Sequence, residues 1–294
     1  MATVEVMART DTSTLAGRRV FITGAARGIG AGLAQRLHQH GARVALAGLE
    51  PELLAETARR CGDAPYWECD VTDRDQVDSA VAGAVEHLGG LDCVVANAGV
   101  AAQLPLVGGD PSVMERTIRV NVMGVYNTVR AAGAHVEHSQ GYALVVSSAA
   151  AAVHLPLMGA YSASKAAVEA IGNTLRIELA PSGARVGVAY FAELDTDMTR
   201  RGFGTKAAES LTGGGSLTPP APLDVALDSL ERGIARRARR IYAPWWVAPL
   251  LPVRMAAQPV IELATRKKVA DALRIARTEQ VDLTTPQPVH DVRG

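Results

Sequence analysis

The chain has 294 residues, enough to bury a large core and to form one or two domains. Hydrophobic residues make up 48% and charged residues 20%, the balance of an ordinary globular protein. Lys plus Arg and Asp plus Glu both number 30, so no net field draws the chain to nucleic acid or to an anionic membrane.

The three cysteines, Cys61, Cys69 and Cys93, are odd in number and lack a Cys-x-x-Cys spacing. Buried free thiols are expected, with neither a disulfide framework nor a metal site. The first fourteen residues carry no apolar core of a signal peptide. No stretch approaches the ~18 apolar residues of a membrane span, so a reduced cytoplasm is the expected compartment.

In chain order, residues 1–14 read as a disordered lead-in. A short apolar strand at 18–23 runs into a glycine-rich turn, Thr23-Gly24-Ala25-Ala26-Arg27-Gly28-Ile29-Gly30. Ile29, Leu33 and Leu37 then recur at helical spacing as far as Gly41. Strand, glycine turn and helix together form a phosphate cradle, because glycines let the backbone approach a pyrophosphate and the helix start offers free N–H groups. A second strand follows at 43–48. The acidic side chain that binds a ribose 2′-hydroxyl about twenty residues beyond the glycines would fall on Gly48, which has none. Glu50 is the nearest substitute, although Glu50-Pro51 also reads as the start of a helix over 51–60.

The alternation continues. A third strand at 64–69 closes on Asp70-Val71, a helix spans 74–88, and a fourth strand at 93–96 closes on Asn97-Ala98-Gly99. Asp110-Pro111 opens a long helix to about Ala132, inside which Asn121 sits among apolar neighbours and needs a partner. A fifth strand at 142–147 delivers Ser148, a helix covers 159–179, and a sixth strand covers 185–190. After Thr196 comes a glycine-rich stretch ending in Pro219-Pro220, with the composition of a lid or a surface loop. A helix at 223–238 leads to a short strand at 240–243. The segment 244–252 holds Trp245, Trp246 and three prolines, and is too short and too interrupted to cross a bilayer. Packing over the active site or against a partner subunit is expected of it, with membrane-surface contact through nearby arginines as the alternative. Residues 261–278 read as one basic amphipathic helix and the last sixteen as a tail. His135 and His138 read as surface residues, and His154 as a loop histidine.

Apolar strands alternating with helices imply an α/β fold, a doubly wound parallel sheet of about seven strands with helices on both faces. Ligands bind beyond the carboxyl ends of such strands, where the glycine turn, Asp70, Asn97, Ser148 and the 194–196 segment converge. Tyr161 and Lys165 are four apart on a predicted helix and share a face. An ammonium there favours the phenolate and brings Tyr161 towards neutral-pH acid–base work. Ser162-x-x-Lys165 also fits the nucleophile motif of serine acyl-transferases, but the chain lacks the Ser-Asp-Asn and Lys-Thr-Gly that such a mechanism needs.

Taken together, Thr-Gly-x-x-x-Gly-Ile-Gly at 23–30, Asn-Ala-Gly at 97–99, Asn121, Ser148, Tyr161 and Lys165 make the chain resemble the short-chain dehydrogenase/reductase family from about 15 to 243. The resemblance implies an enzyme that interconverts a secondary alcohol and a ketone. Tyr161 would exchange the proton, Lys165 would lower its pKa and bind the nicotinamide ribose, Ser148 would orient the substrate oxygen, and Asn121 would hold a water of the relay. Gly24, Arg27, Gly28, Ile29 and Gly30 would hold the pyrophosphate side of the cofactor. Asp70 and Val71 would meet the adenine, with Asn97, Ala98 and Gly99 beside them, while Leu194 and Thr196 would meet the carboxamide. Phe191-Ala192 stands where the family commonly has Pro-Gly.

Arg27 matches the position of a base in NADP-preferring members, so NADP(H) is favoured, with NAD(H) and Glu50 as the alternative. Val153, Leu155, Leu157 and Met158 suggest a largely apolar substrate. The expected organisation is a lead-in at 1–14, an oxidoreductase domain at 15–243 and an extension at 244–294, assembling as a homo-oligomer. The alternative from another class is a catalytically silent cofactor-binding sensor or scaffold.

Overall fold

The structure is a computed structural model that describes residues 12–202, 205–212 and 220–279. The lead-in up to residue 11, residues 203–204 and 213–219 of the glycine-rich stretch and the tail from 280 lie outside the described residues. Thr12–Leu15 form a short helical turn that buries Leu15.

Seven strands form one parallel sheet in the order β3-β2-β1-β4-β5-β6-β7. They are β1 (Arg19–Thr23), β2 (Arg43–Gly48), β3 (Tyr66–Glu68), β4 (Cys93–Ala96), β5 (Tyr142–Val146), β6 (Arg185–Phe191) and β7 (Arg240–Ala243). Ile22 of β1 pairs with Leu46 on one side and Val95 on the other. Consecutive side chains of β1 serve opposite layers. Val20 and Ile22 join Leu33 and Leu37 of α1 (Gly28–Gln39) and Leu230 of α9 (Leu223–Ala235). Phe21 instead joins Val77 and Val81 of α3 (Arg74–Leu88). The two-residue period of a strand therefore feeds both faces, which is why β4 and β5 are buried at every position. Each fully buried leucine contributes about 2 kcal/mol. The sheet reverses its build direction at β1, whose neighbours β2 and β4 run off to opposite sides and leave a crevice at their carboxyl ends.

Helix α2 (Pro51–Arg60) follows β2 with proline in its first turn. The long helix expected over 110–132 is interrupted. Helix α4 (Pro111–Ile118) passes into a π-helical turn, Arg119–Met123, before α5 (Gly124–Ala132). The wider turn lets Asn121 face Val100 while Gly124 lies against Val71, where an added Cβ would come within 2.5 Å of the valine. Strand β3 is shorter than expected. Helix α6 (Gly159–Glu178) is as expected, whereas α9 stops at Ala235, before a left-handed Arg237.

Two short helices, α7 (Asp197–Gly202) and α8 (Lys206–Thr212), follow β6, and α10 (Val247–Leu250) follows β7. The single basic helix expected at 261–278 is two, α11 (Arg254–Thr265) and α12 (Val269–Ala276). The break at 266–268 turns Ala272 inward to pack with Ala207 and Leu211 of α8 and with Leu157. Among the described residues no helix is long and apolar enough to cross a membrane.

Candidate active site

The glycine turn joins β1 to α1 under tight backbone constraint. Gly24 adopts φ +68°, and a Cβ there would lie 2.8 Å from the Ala98 Cα. A Cβ on Gly30 would lie 2.1 Å from the Gly24 carbonyl oxygen, so helix and turn touch through bare backbone. At Gly28, φ is +56° and an added Cβ would meet nothing within 4 Å, because that face opens on a cavity. Asn97 ties the turn to β4. Its amide nitrogen donates to the carbonyls of Thr23 at 3.0 Å and Gly24 at 3.2 Å, and its backbone N–H donates to the Thr23 hydroxyl. Beyond β3, Asp70 accepts from the Thr72 N–H at 2.8 Å and is held in turn by Gln76. Open space before exposed glycine backbone, at the start of a twelve-residue helix, fits a dinucleotide pyrophosphate.

Arg27 is not turned freely to that space: its Nε lies 3.0 Å from a Glu50 carboxylate oxygen. The two residues read from the sequence as alternative ribose or phosphate ligands are therefore ion-paired with one another.

Tyr161 and Lys165 share one face of α6, as the four-residue spacing requires. The ammonium lies over the tyrosine ring, 5.6 Å from its centroid, and donates to the Val146 carbonyl at 3.0 Å. Ser147, at the end of β5, donates to the Lys165 carbonyl at 2.8 Å and so fastens the strand end to the helix. Ser148 donates to Phe191 O at 3.2 Å and accepts from the Ala150 N–H, and its side chain lies near enough to Tyr161 to favour the phenolate. Asn121 is fully buried behind them. Its carboxamide exchanges two hydrogen bonds with the Val100 backbone and donates to Ser164, which donates to the Tyr161 carbonyl. The side chain expected to hold a relay water acts here as a clamp between the β4 loop and α6.

The electrostatics correct the expectation for Tyr161. Burial pushes its hydroxyl up to about 12, with the Ser148 hydrogen bond pulling the other way. Burial also lowers Lys165 to about 8. Loss of water penalises phenolate and ammonium alike, and burial is the leading cause of both shifts.

A cavity of about 840 Å³ runs from the glycine turn past Tyr161 to the C-terminal helices. Every predicted catalytic or cofactor position borders it except Gly30 and Asn121, which support the wall from behind. Val153, Leu155 and Met158 line its far end, with Met198, Trp246 and Ile261. Leu157 does not line it and packs towards α8 and α12 instead. Thr196 and Thr199 bond each other at 3.2 Å beside Leu194, whose strand-like pairing with Ala221 braces that edge. His154 meets the cavity nowhere, but its backbone exchanges two hydrogen bonds with the Gln258 side chain of α11. His135 is exposed and His138 contacts Leu91 O.

Sequence reasoning missed Gln103 and Gln258. Gln103 is buried at the cavity wall and bonded by the Thr205 hydroxyl. Both residues work through partners about a hundred positions away, and no local pattern marks them.

Comparison with known proteins places these features in context. A family profile described as short chain dehydrogenase matches residues 18–206. A hydroxysteroid 11-beta-dehydrogenase 1-like protein of Gallus gallus is 30% identical, over 80% of this chain and 82% of its own length. The trans-4-hydroxycyclohexanecarboxylate dehydrogenase of Sinomonas cyclohexanicum is 34% identical, over 65% of this chain and 78% of its own. A short chain dehydrogenase from Burkholderia cenocepacia, solved in complex with NADP, superposes with a TM-score of 0.71 at 27% identity, covering 85% of this chain and 97% of that one.

Proposed function

The chain belongs to the short-chain dehydrogenase/reductase family and is an NAD(P)-dependent oxidoreductase, and from that premise we propose that it interconverts a secondary alcohol and a ketone on a largely apolar substrate. One observation carries the reading: Ser148 and Tyr161 both border a cavity whose far wall is aliphatic and aromatic. The relatives named for hydroxysteroid and hydroxycyclohexanecarboxylate substrates support a ring-sized apolar alcohol.

Bound nicotinamide supplies the hydride. Glycine-turn backbone and the start of α1 would hold its pyrophosphate side, Asp70 and Val71 the adenine side, and Leu194 and Thr196 the carboxamide side. Ser148 would hydrogen-bond the substrate oxygen. Tyr161, protonated at neutral pH, would donate to that oxygen in reduction and accept from it in oxidation. Lys165, held by Val146 O beside the ring, would carry the charge that stabilises the phenolate left behind. Asn121 keeps Gly99 and α6 in register, so the relay water would rest against groups that it positions.

Replacing Tyr161 with Phe removes the only exchangeable proton on that ring. Oxidation of NADPH in the presence of ketones of graded size should fall by about a thousandfold, while NADPH binding, followed by fluorescence, stays intact. Undiminished turnover sinks the mechanism and leaves a cofactor-binding scaffold.

NADP(H) is the proposed cofactor, supported by Arg27 at the edge of the cavity. A 2′-phosphate must draw Arg27 away from Glu50, so Glu50→Gln should tighten NADPH and Arg27→Ala should weaken it without touching NADH. Tighter NADH binding by the parent chain would make Glu50 the ribose ligand. The same reading takes 15–243 as the oxidoreductase domain, 244–294 as an extension over it, and a homo-oligomer as the working form. The three buried free cysteines suit a reduced compartment.

A further inference from the structure

Helix α11 has an unusual division of residues. Its inner side supplies Ile261 and Thr265 to the cavity wall, and Arg254 pairs with Glu169 of α6 at 3.1 Å. The opposite side carries Met255, Ala256, Pro259, Val260 and Leu263, all exposed. Met255 is 85%, Val260 66% and Leu263 72% accessible. At 100° per residue these five fall within an arc of about 140° that holds no polar side chain. The inner side is thus satisfied by its own partners, whereas an apolar strip facing water is unfavourable unless something covers it.

Charge identifies the cover. Arg266, Lys267 and Lys268 follow directly at the end of the helix, and all three are exposed. Nearby carboxylates are engaged elsewhere or lie off the arc. Asp271 pairs with Arg274, Glu279 accepts from the backbone at the start of α8, and Glu262 sits at the margin with Gln258. Among the described residues, a second copy of this face would bring an identical apolar strip with the same basic end and only Glu262, at the margin, as an acid. An anionic lipid surface offers both halves of the match, hydrocarbon for the strip and phosphate for the cations.

We propose that the outer face of α11 docks this enzyme onto an anionic bilayer, with the helix lying in the interface. Twelve residues span about 18 Å as a helix, short of the ~30 Å hydrocarbon core, so the contact is peripheral. Exposed Val253 and Trp245, in the segment leading into α11, add apolar surface to the same part of the chain. Because α11 is also a wall of the cavity, docking puts lipid on one side of the helix and the substrate space on the other. The inference is independent of which alcohol is turned over.

The test uses the full chain with vesicles of phosphatidylcholine alone and of phosphatidylcholine with phosphatidylglycerol, separated by sedimentation. The chain should sediment with the anionic vesicles, less as salt rises, and hardly at all with the neutral ones. Val260→Asp with Leu263→Asp should lower partitioning by about tenfold or more. Lys267→Gln with Lys268→Gln should lower it severalfold and flatten the salt dependence. Cofactor binding checks that each variant is folded, since none of the four side chains borders the cavity. Failure of the anionic vesicles to retain the chain overturns the proposal, and so does retention unchanged by the two aspartates. A dimer that the aspartates split, without vesicle retention, assigns the face to a second copy instead.

Discussion

The two ends of the cavity are built by different means. At the glycine turn the contacts are backbone on backbone: Gly30 against the Gly24 carbonyl, Gly24 against Ala98, with Asn97 bonded across. At the far end, proposed for the substrate, the elements are held by long side chains reaching between distant segments. Gln258 ties α11 to the His154 backbone, Arg254 ties it to Glu169, and Glu279 accepts from the N–H groups of Lys206 and Ala207. Backbone contact leaves no room for substitution, whereas a side-chain latch can be exchanged at modest cost. The proposed nucleotide end is therefore the constrained half, and the proposed substrate end is the one whose contacts can be exchanged.

Breaking the constrained half should have the largest effect. Gly30→Ala drives a methyl into the Gly24 carbonyl and should cost about 3 kcal/mol, seen as a lower Tm together with lost cofactor binding. An unchanged Tm would mean the turn is softer than the 2.1 Å approach implies. Next comes Lys165, at the junction of the two halves. Burial lowers it from 10.5 to about 8, so its folded pKa lies below its unfolded one. The native state then binds fewer protons than the unfolded state between those values, and stability rises with pH across the window. The full penalty, about 3 kcal/mol, applies below pH 8. Lys165→Met should raise Tm at pH 7 while abolishing turnover, and the gain should vanish near pH 10. A lower Tm at pH 7 would show that the bond to Val146 outweighs burial.

Gly28→Ala sharpens the comparison at intermediate size. Nothing crowds the new methyl, but φ +56° disfavours it by about 1 kcal/mol, and it projects into the proposed pyrophosphate space. Cofactor affinity should drop about tenfold or more, with Tm reduced only slightly. The smallest effect belongs to the latches. Gln258→Ala removes two exposed hydrogen bonds worth about 1 kcal/mol together. KM for bulky ketones should rise severalfold, with kcat and the KM of small ketones unchanged. An equal change for all substrates would deny the substrate end its separate role.

Much of this was legible because it is local. The glycine turn, the strand–helix alternation and the Tyr161–Lys165 spacing each follow from a repeat of a few residues, and the seven parallel strands bear out the doubly wound reading. The π-helical turn at Asn121 was not legible, since it answers to Val100 and Val71, which are distant in sequence. The split at 266–268 carried no proline or glycine to announce it, while Pro259, which should have broken α11, sits inside it. Patterning also gave the wrong sign for Tyr161, because spacing reports which groups are near and says nothing of the water excluded around them. The ion pair between Arg27 and Glu50 was hidden for a related reason. Position relative to the glycine turn relates each residue to a nucleotide and says nothing of the contact between the two.

The bridge from Asn97 to Thr23 and Gly24 has a consequence for the order of events in a catalytic cycle. Both carbonyls it holds belong to the chain's own fold, so the turn proposed to receive the dinucleotide is already tied in place without it. The disorder of that turn is surrendered once, during folding, and need not be surrendered again at each encounter. Whatever adaptation the enzyme makes in each round is left to the far end, where glutamine and glutamate tethers can let go and re-form.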